Sequence, residues 1–289
     1  MPNRERTNNN IQLALSLLRG RWLLADAESL LPHAFDFLSR MTSDEQTTEY
    51  SPALYMADGS MASGDPAVSG KKKKVAVIPM HGPLTKYWGC STVGTMEVAE
   101  EIMALAGRED TVGFVLDIDS PGGASNAIPC MTAAISHVQK LGKPIVAHCD
   151  YCASAAYWIA SQCDAVFMDN IMSEVGSIGA YASFIDDRED KQTGRKVISV
   201  YAPQSSDKNR AYREALEGKY KLCQEELSEL VVMFHNAVKT ARPNIKSEAE
   251  GVFTGATFFT PQAVDLNMAD AQMSLEDSIE NVFIRAEFK

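Results

Sequence analysis

Short apolar runs alternate with amphipathic stretches over the middle of the chain. Near-continuous apolar runs are typical of strands buried on both faces of a parallel sheet, and they predict strands at residues 75–79, 112–118, 145–147 and 165–168, with another at 196–201. Apolar residues at helical spacing predict helices at residues 95–106, 126–141 and 153–161, and a long helix at 212–240. Strands and helices that alternate in this way form repeated β-α-β units, so the sequence predicts an α/β fold with a parallel sheet.

Residues 1–70 show a different pattern. Apolar residues recur at helical spacing over 11–40, whereas 41–70 are rich in Ser, Thr, Asp and Gly and contain Pro52 and Pro66. We therefore predict a helical arm and linker over residues 1–70, followed by one α/β domain over residues 71–289. A chain of 289 residues is long enough for one large domain with such an appendage.

Charge and apolar run length exclude two classes of protein. The 27 basic and 38 acidic residues give a formal net charge of −11, which argues against a nucleic-acid-binding protein. The longest wholly apolar runs fall far short of the roughly 20 residues that a membrane-spanning helix needs. The N-terminus is polar and is followed by no clean secretory signal. We therefore expect no nucleic acid partner, no membrane span and a cytoplasmic location.

The six cysteines are scattered, without the density of a disulfide scaffold. Cys149 and Cys152 form a CxxC pair, but neither a second such pair nor a histidine pair at ligand spacing accompanies them. We expect buried thiols here rather than a redox or zinc site, and hence no metal and no cofactor.

A Pro-Gly-Gly turn follows the predicted strand at 112–118, in the segment Asp119-Ser-Pro-Gly-Gly123. Open parallel sheets bind their ligands at the carboxyl ends of the strands. The backbone amides of Gly122 and Gly123 could stabilise an oxyanion there, although a plain strand-to-helix turn accounts for the same residues.

Ser154 stands among small residues at the start of a predicted helix, in Cys152-Ala-Ser-Ala-Ala-Tyr-Trp158. Small neighbours let a substrate backbone approach, and a helix N-terminus supplies N–H groups and positive potential. A capping serine is the other interpretation of this position. Together with the glycine loop, on the same edge of the sheet, Ser154 gives the layout of acyl transfer, a nucleophile beside an oxyanion hole. Cys152 is a weaker nucleophile candidate, because a helical side chain two residues away points elsewhere.

A nucleophilic serine needs a general base. Neither His148, before Ser154, nor His235, in the long-helix pattern, is well placed for a Ser-His-Asp arrangement. A lysine whose pKa is lowered by burial can serve instead, and the lysines considered after Ser154 are Lys191, Lys196, Lys208, Lys219 and Lys221. The last two fall in a charged helical stretch. Lys208 follows the predicted strand at 196–201, but the residues alone do not distinguish it from a surface lysine.

Three ordered segments resemble a known family. Asp119–Gly123, Ala153–Ser161 and Val175–Gly179 look like the signature segments of signal peptide peptidase A (protease IV), a family of Ser-Lys peptidases with the Clp-protease/crotonase fold. The resemblance covers about residues 75–285, and the segments 252–255 and 263–270 are similar to the family's closing region.

The resemblance implies a role for each matching residue. Ser154 becomes the nucleophile and Lys208 the general base, while Gly122 or Gly123 forms the oxyanion hole with the backbone amide of Ser154 itself. Ser177 matches a serine that hydrogen-bonds the lysine in relatives. The family implies a homo-oligomeric ring, an unfolded or extended protein or peptide as substrate, and no cofactor.

This chain departs from the family pattern in two places. Ala155 and Ala156 follow the nucleophile where relatives often have two glycines, and the spacing from Ser154 to Ser177 looks one residue longer than in cellular enzymes. The cellular enzymes usually carry an N-terminal membrane anchor, which we do not find in this sequence.

Two further segments, Trp22–Leu31 and Gln204–Asn209, resemble the phage and prophage branch of the family, whose peptidases mature a capsid or cleave its scaffold. We therefore expect a head-maturation protease that acts on capsid or scaffold protein, in a bacterial host cell or a phage procapsid. Better-known members add a C-terminal scaffolding region that is not found here, so any scaffold is expected on another chain.

Three alternatives stay open. The chain could be a cellular signal-peptide-remnant peptidase that works without its anchor, or a capsid-assembly protein that has lost catalysis. An acyl-CoA hydratase or isomerase of the crotonase type shares the fold, but Ser154 and its small neighbours suit a nucleophile better than a coenzyme A pocket.

Overall fold

The computed structural model describes residues 22–24 (backbone only), 52–62, 72–89, 92–183 and 198–288. Its strands are β1 Trp22–Leu24, β2 Ala53–Met56, β3 Lys74–His81, β4 Leu84–Thr85, β5 Val93–Gly94, β6 Thr111–Ser120, β7 Gly122–Ala124, β8 Ile145–Ala153, β9 Ala165–Met168, β10 Glu174–Gly176, β11 Thr257–Phe259 and β12 Ala271–Gln272. Its helices are α1 Thr95–Ala106, α2 Ile128–Lys140, α3 Ala155–Ser161, α4 Arg210–Leu216, α5 Lys221–Ala241, α6 Thr260–Asp265 and α7 Leu275–Phe288, with 3₁₀ turns at Ser125–Ala127 and Pro203–Ser205.

The main sheet has the strand order β11-β10-β8-β6-β3-β2. Strands β3, β6, β8 and β10 are parallel, while β2 and β11 at the two ends of this order are antiparallel to their neighbours. The first half of β8 also pairs with β9, which in turn pairs with β12. The predicted α/β class, with a parallel sheet built from β-α-β units, is confirmed.

A second, smaller sheet has the strand order β1-β7-β4-β5 and lies beyond the carboxyl end of β6. Its strand β7 begins directly after Pro121, so the Pro-Gly-Gly segment leads from the main sheet into the small one. The strand β7 is parallel to β4 on one side and antiparallel to β1 on the other. The predicted glycine loop is therefore a short strand.

The two faces of the main sheet are covered by different elements, because side chains alternate between faces along each strand. Ile78, Leu116 and Ala147 belong to the larger core, which includes residues of α1, α2 and α3. Val115 and Val146 belong to a smaller core with Ile279 and Val282 of α7. The carboxyl ends of β6 and β8 extend past α7 toward the small sheet.

Most predicted elements occur close to their predicted positions. The helix at 95–106 coincides with α1, and the strand at 165–168 coincides with β9. Strands β6 and β8 run farther than predicted, to Ser120 and Ala153, because polar residues at their carboxyl ends continue the ladder after the apolar run stops.

Two predictions in the C-terminal half are wrong. Residues 198–201 of the strand predicted at 196–201 are irregular, and 196–197 lie outside the described residues. The long helix predicted at 212–240 is two helices, α4 and α5. Gly218, between them, has a φ of +77°, a left-handed conformation that cannot continue a right-handed helix.

The arm predicted over residues 1–70 also differs where it is described. Trp22–Leu24, inside the predicted helix, is the strand β1, and Ala53–Met56, inside the predicted linker, is the strand β2 paired with β3. A short apolar run fits either a helix or a strand, and pairing with a distant strand decides between them. The rest of 11–40 lies outside the described residues.

None of the helices in the described ranges combines the length and apolar composition needed to cross a bilayer. The longest of them, α5, carries charged side chains along its length.

Candidate active site

Ser154 lies on a strained turn between β8 and α3. Its backbone has φ 57° and ψ −118°, which a residue with a Cβ atom rarely adopts and which costs on the order of 1–3 kcal/mol. Its side chain is buried. Strain of this kind is held in place only by the surrounding structure, and it concentrates at functional sites.

Ser177 comes to lie beside Ser154 through the pairing of β8 with β10. Gly176 is the register partner of Ala153, and each strand then continues by one residue to a serine. Ser177 also has a positive φ, of 52°. Its backbone N–H donates to the carbonyl oxygen of Ala256 over 2.7 Å. A Cβ atom at Gly176 would lie 2.5 Å from that same oxygen, so glycine is required there.

The glycine segment lies next to Ser154 for a similar reason. Ser120 is the register partner of Cys152, and two residues further along each strand are Gly122 and Ser154. Gly122 has a φ of +97°, and a Cβ atom at Gly123 would lie 1.9 Å from the carbonyl oxygen of Leu84 in β4. The structure therefore brings Ser154, Ser177 and both glycines to one edge of the sheet.

The Ser120 hydroxyl holds this loop, a role that the sequence analysis missed. It donates to the carbonyl oxygen of Gly82 over 2.7 Å and accepts the N–H of Gly122 over 3.2 Å, and it is fully buried. The position of Ser120 inside the segment Asp119–Gly123 was the one feature of the sequence that could have indicated this role.

Two of the predicted oxyanion amides already have acceptors in this structure. The N–H of Ser154 donates to the carbonyl oxygen of Gly176 over 2.8 Å, which contradicts its prediction as an open donor. The N–H of Gly122 donates to Ser120. The first amide of a helix has no intrahelical acceptor, and in α3 this is the N–H of Ala155. Ala155 and Ala156 are fully buried.

Lys208 is not in contact with Ser154 in this structure. It lies between the 3₁₀ turn at 203–205 and α4, its side chain is exposed, and no hydrogen bond joins it to Ser154 or Ser177. Lys219 is paired with Glu217 over 2.8 Å, as expected for a solvated helical stretch. Lys191 and Lys196 lie outside the described residues.

His148 faces away from Ser154. His148 lies two residues after Val146 in β8, so its side chain is on the sheet face that packs against α7. Its Nδ1 lies 3.0 Å from Asp117 Oδ1, and its Nε2 lies 3.2 Å from Asp169 Oδ1. The ring of His235 packs edge-on against Phe253, with the ring centroids 4.7 Å apart. The structure therefore places neither histidine as the base.

Asp117 is held between two imidazoles, since His81 Nε2 also lies 3.0 Å from its Oδ2. Burial alone would raise the pKa of this carboxyl, but the hydrogen bonds from His148 and His81 outweigh it and hold the pKa well below its usual range. The hydrogen bond to Asp117 raises the pKa of His81 against its partial burial. This cluster was not predicted as a unit, because its members come from separate strands.

The closing region of the chain supports the site from behind. The Tyr157 hydroxyl donates to the carbonyl oxygen of Met268 over 2.9 Å, and Arg242 binds Asp270 through two nitrogens, at 2.7 and 2.9 Å. Asp270 also accepts the N–H of Val166 over 2.7 Å. These contacts tie α3 and β9 to the segment 263–270.

The CxxC cysteines are part of the core. Cys149 and Cys152 are both fully buried. A hydrogen bond with Cys152, and burial, raise the pKa of the Cys149 thiol well above its usual range, so it stays protonated at neutral pH. No group of three or more His, Cys, Asp or Glu side chains suited to a metal ion occurs within the described part of the chain.

A buried serine on a strained turn, beside a glycine loop at the carboxyl edge of a parallel sheet, is the arrangement of a serine hydrolase that works by acyl transfer. The model of peptidase family S49 matches residues 137–288, more than half of the chain. The chain belongs to peptidase family S49, and the predicted family-level resemblance is confirmed.

Individual relatives are distant. Protease 4 of Haemophilus influenzae is 27% identical over 113 residues, which is 38% of this chain and 18% of that protein. Two solved structures of alanine variants of the membrane-bound stomatin-specific protease 1510-N, one of them in complex with a substrate peptide, are each 14% identical. They cover 71% and 73% of this chain and 77% and 83% of those chains, with TM-scores of 0.41 and 0.38.

Proposed function

We propose that this protein is a serine endopeptidase in which Ser154 is the nucleophile and Lys208 the general base. The observation that carries the proposal is the strained turn at Ser154, which sets a buried hydroxyl beside the glycine strand β7 and next to Ser177. In a purely structural turn, the strained backbone at Ser154 would destabilise the fold without a compensating role. Membership of peptidase family S49 supports the same reaction class.

The oxyanion would be held by the N–H of Ala155 together with an amide of the glycine strand. The Ala155 amide adjoins the nucleophile, whereas the Ser154 amide is engaged by Gly176. On the other side, Gly122 or Gly123 supplies the second donor. The bond from Gly122 to Ser120 is long, at 3.2 Å, and can be exchanged for a bond to an oxyanion. One such donor lowers the activation barrier by about 3–4 kcal/mol.

Lys208 needs a water-excluding neighbour before it can act as a base, because a lysine must lose several units from its ordinary pKa of about 10.4 to be neutral near pH 7. The segment before it carries two large apolar side chains in solvent, Ile198 at 82% and Val200 at 90% exposure. We propose that another copy of the chain covers this surface in a homo-oligomeric ring. That contact would bury the lysine and move it toward Ser154 and Ser177.

In the proposed cycle, neutral Lys208 accepts the proton of the Ser154 hydroxyl as its oxygen attacks a peptide carbonyl. The amides hold the negative oxygen of the tetrahedral intermediate. The lysine then gives its proton to the leaving amine, and water hydrolyses the acyl-enzyme with the lysine again as base. Ser177 would orient the lysine through a hydrogen bond.

The substrate that fits this site is an extended peptide. The strand β7 lies beside Ser154, and its glycines carry no side chains that would keep a peptide from pairing with its outer backbone edge, the edge that β1 occupies in this structure. A peptide that pairs with this edge must be unfolded locally. The likeness of Trp22–Leu31 and Gln204–Asn209 to phage and prophage members supports a capsid or scaffold protein as the natural substrate.

The reaction is tested by cleavage of an unfolded substrate protein, which is kept unfolded by reduction and alkylation. The new termini are identified by mass spectrometry. We expect wild type to cut, and Ser154→Ala and Lys208→Ala each to lose more than about a thousandfold in rate. Lys219→Ala is the matched control, because Lys219 is an exposed lysine nearby that is paired with Glu217, and its rate should equal that of wild type. Loss in Ser154→Ala but not in Lys208→Ala would refute the assigned base.

The assembly and the substrate class are tested separately. Ile198→Asp combined with Val200→Asp should shift the oligomer to smaller species in sedimentation and lower the cleavage rate with it. Preferential cutting of capsid or scaffold protein over isolated hydrophobic peptides would support the head-maturation role, and the reverse preference would indicate a peptidase of signal-peptide remnants.

A further inference from the structure

The glycine strand β7 already carries a partner strand from the same chain. The backbone of β1 pairs with it in antiparallel register, with Trp22 opposite Ala124, Leu23 opposite Gly123 and Leu24 opposite Gly122. The other edge of β7 is occupied by β4, through the pair Leu84 and Gly123. The strand β1 therefore fills the one edge of β7 that the rest of the small sheet leaves open.

The filled edge is the one beside the nucleophile, because β4 follows β3, and β3 flanks β6 on the side away from β8 and Ser154. From the register pair Ser120 and Cys152, both chains run two residues further, to Gly122 and Ser154. In β1 the residue opposite Gly122 is Leu24, so the chain approaches the nucleophile as it runs from Trp22 to Leu24. A substrate strand that pairs with β7 would take this same path.

We propose that Trp22–Leu24 is an intramolecular occupant of the substrate strand position, so that the N-terminal arm competes with substrate for β7. This inference rests on the proposed function, because it takes the β7 edge as the place where substrate binds. All three residues of the occupant are paired with residues of β7. Backbone pairing is largely independent of side chains, so the same edge accepts either strand.

Tethering makes such competition effective. A linked segment acts at an effective concentration on the order of 1 mM. If a three-residue strand has an intrinsic dissociation constant of about 0.1 mM, the edge is open about a tenth of the time, and the apparent affinity for an external peptide falls about tenfold.

The test removes the pairing without removing the arm. Leu23→Pro deletes the N–H at the centre of β1 and fixes φ near −65°, which a strand interior does not tolerate. Leu23→Ala is the matched control, because it keeps the N–H and changes only the side chain. The unfolding midpoints of both variants, measured by circular dichroism, should match that of wild type if only the arm is released.

Binding is measured in a Ser154→Ala background, so that the result does not depend on cleavage. The probe is a fluorescein-labelled peptide with the sequence of residues 20–27, followed by anisotropy. We expect Leu23→Pro to bind the peptide about tenfold more tightly than the Ser154→Ala parent, and Leu23→Ala to differ from the parent by less than about threefold. Equal affinity in the Leu23→Pro protein and the parent would overturn the inference.

Kinetics separate this inference from the proposed function. With active Ser154, Leu23→Pro should lower KM for an extended peptide about tenfold and leave kcat unchanged. Cleavage with the same KM in both proteins would keep the proposed peptidase and overturn the competing arm. A peptide that binds as expected but is never cleaved would keep the arm's position on β7 and refute the peptidase.

Discussion

Replacing Gly123 by alanine tests whether the close approach of β4 and β7 sets the geometry of the site. The new Cβ atom would lie 1.9 Å from the carbonyl oxygen of Leu84, whereas real Cβ contacts essentially never fall below 3.0 Å. The two strands must therefore separate by about 1 Å. The added Cβ atom meets backbone atoms of Leu84, so no side-chain rotation relieves the clash.

The displaced strand carries the amides proposed for the oxyanion hole. A misplacement of about 1 Å at a catalytic centre can cost on the order of a hundredfold in rate. Overpacking of this kind typically destabilises a protein by about 1–3 kcal/mol. We therefore expect Gly123→Ala to lose about a hundredfold in kcat/KM and to unfold at lower urea concentration, while remaining folded at 25 °C in buffer.

Gly107→Ala is the matched control. Gly107 follows α1 with a φ of −71°, and the nearest atom to an added Cβ would be 3.5 Å away. This variant should keep full activity and gain slightly in stability, because alanine restricts the unfolded chain. Activity of Gly123→Ala within about threefold of wild type, with an unchanged urea midpoint, would show that β4 and β7 can part without harm and would refute the reasoning.

Three further predictions concern the supports around the site. Tyr157→Phe leaves a buried carbonyl without its donor and should lower the free energy of unfolding by about 1–3 kcal/mol in urea titration; no change would show that another group replaces the hydroxyl. Arg242→Met removes two bonds to Asp270 and should cost about 1.5–3 kcal/mol, with a smaller effect once Asp270→Asn is present; strictly additive losses would contradict the pairing. The hydrogen bond to Asp117 raises the pKa of His81 in the folded protein. Protonated His81 therefore stabilises the fold fully below the pKa of about 6.5 that it has in the unfolded chain, and this contribution is lost as pH rises through the higher folded pKa. The stability difference between wild type and His81→Gln should therefore shrink from pH 5 to pH 9, and a pH-independent difference would contradict the assignment.

The sequence predicted the α/β class correctly and pointed to two candidate segments at strand ends, because both depend on local patterns. Apolar runs of strand length and helical spacing are set by neighbouring residues. The carboxyl ends of parallel strands share one edge, so Ser154 and the segment Asp119–Gly123 could be expected together once their strands were found.

Predictions failed where the outcome depended on partners far along the chain. Trp22–Leu24 is a strand because β7 has an open edge, and nothing within residues 11–40 indicates that edge. Lys208 lies exposed in a single copy of the chain, and the cover that we propose for it comes from another copy.

Within the site, the local sequence supplies the available groups: a serine at a strand end, two adjacent glycines and amides at a helix start. How these groups are used depends on contacts between residues that are distant in sequence. Parallel register places Gly176 beside Ala153, so the Ser154 amide donates to the carbonyl oxygen of Gly176, and Ala155 supplies the first amide of α3, which has no acceptor within the helix. Likewise, Asp117 and His148 meet across strands rather than at Ser154. Each backbone amide hydrogen has one main acceptor, and which acceptor it meets is fixed by strand pairing between residues distant in sequence.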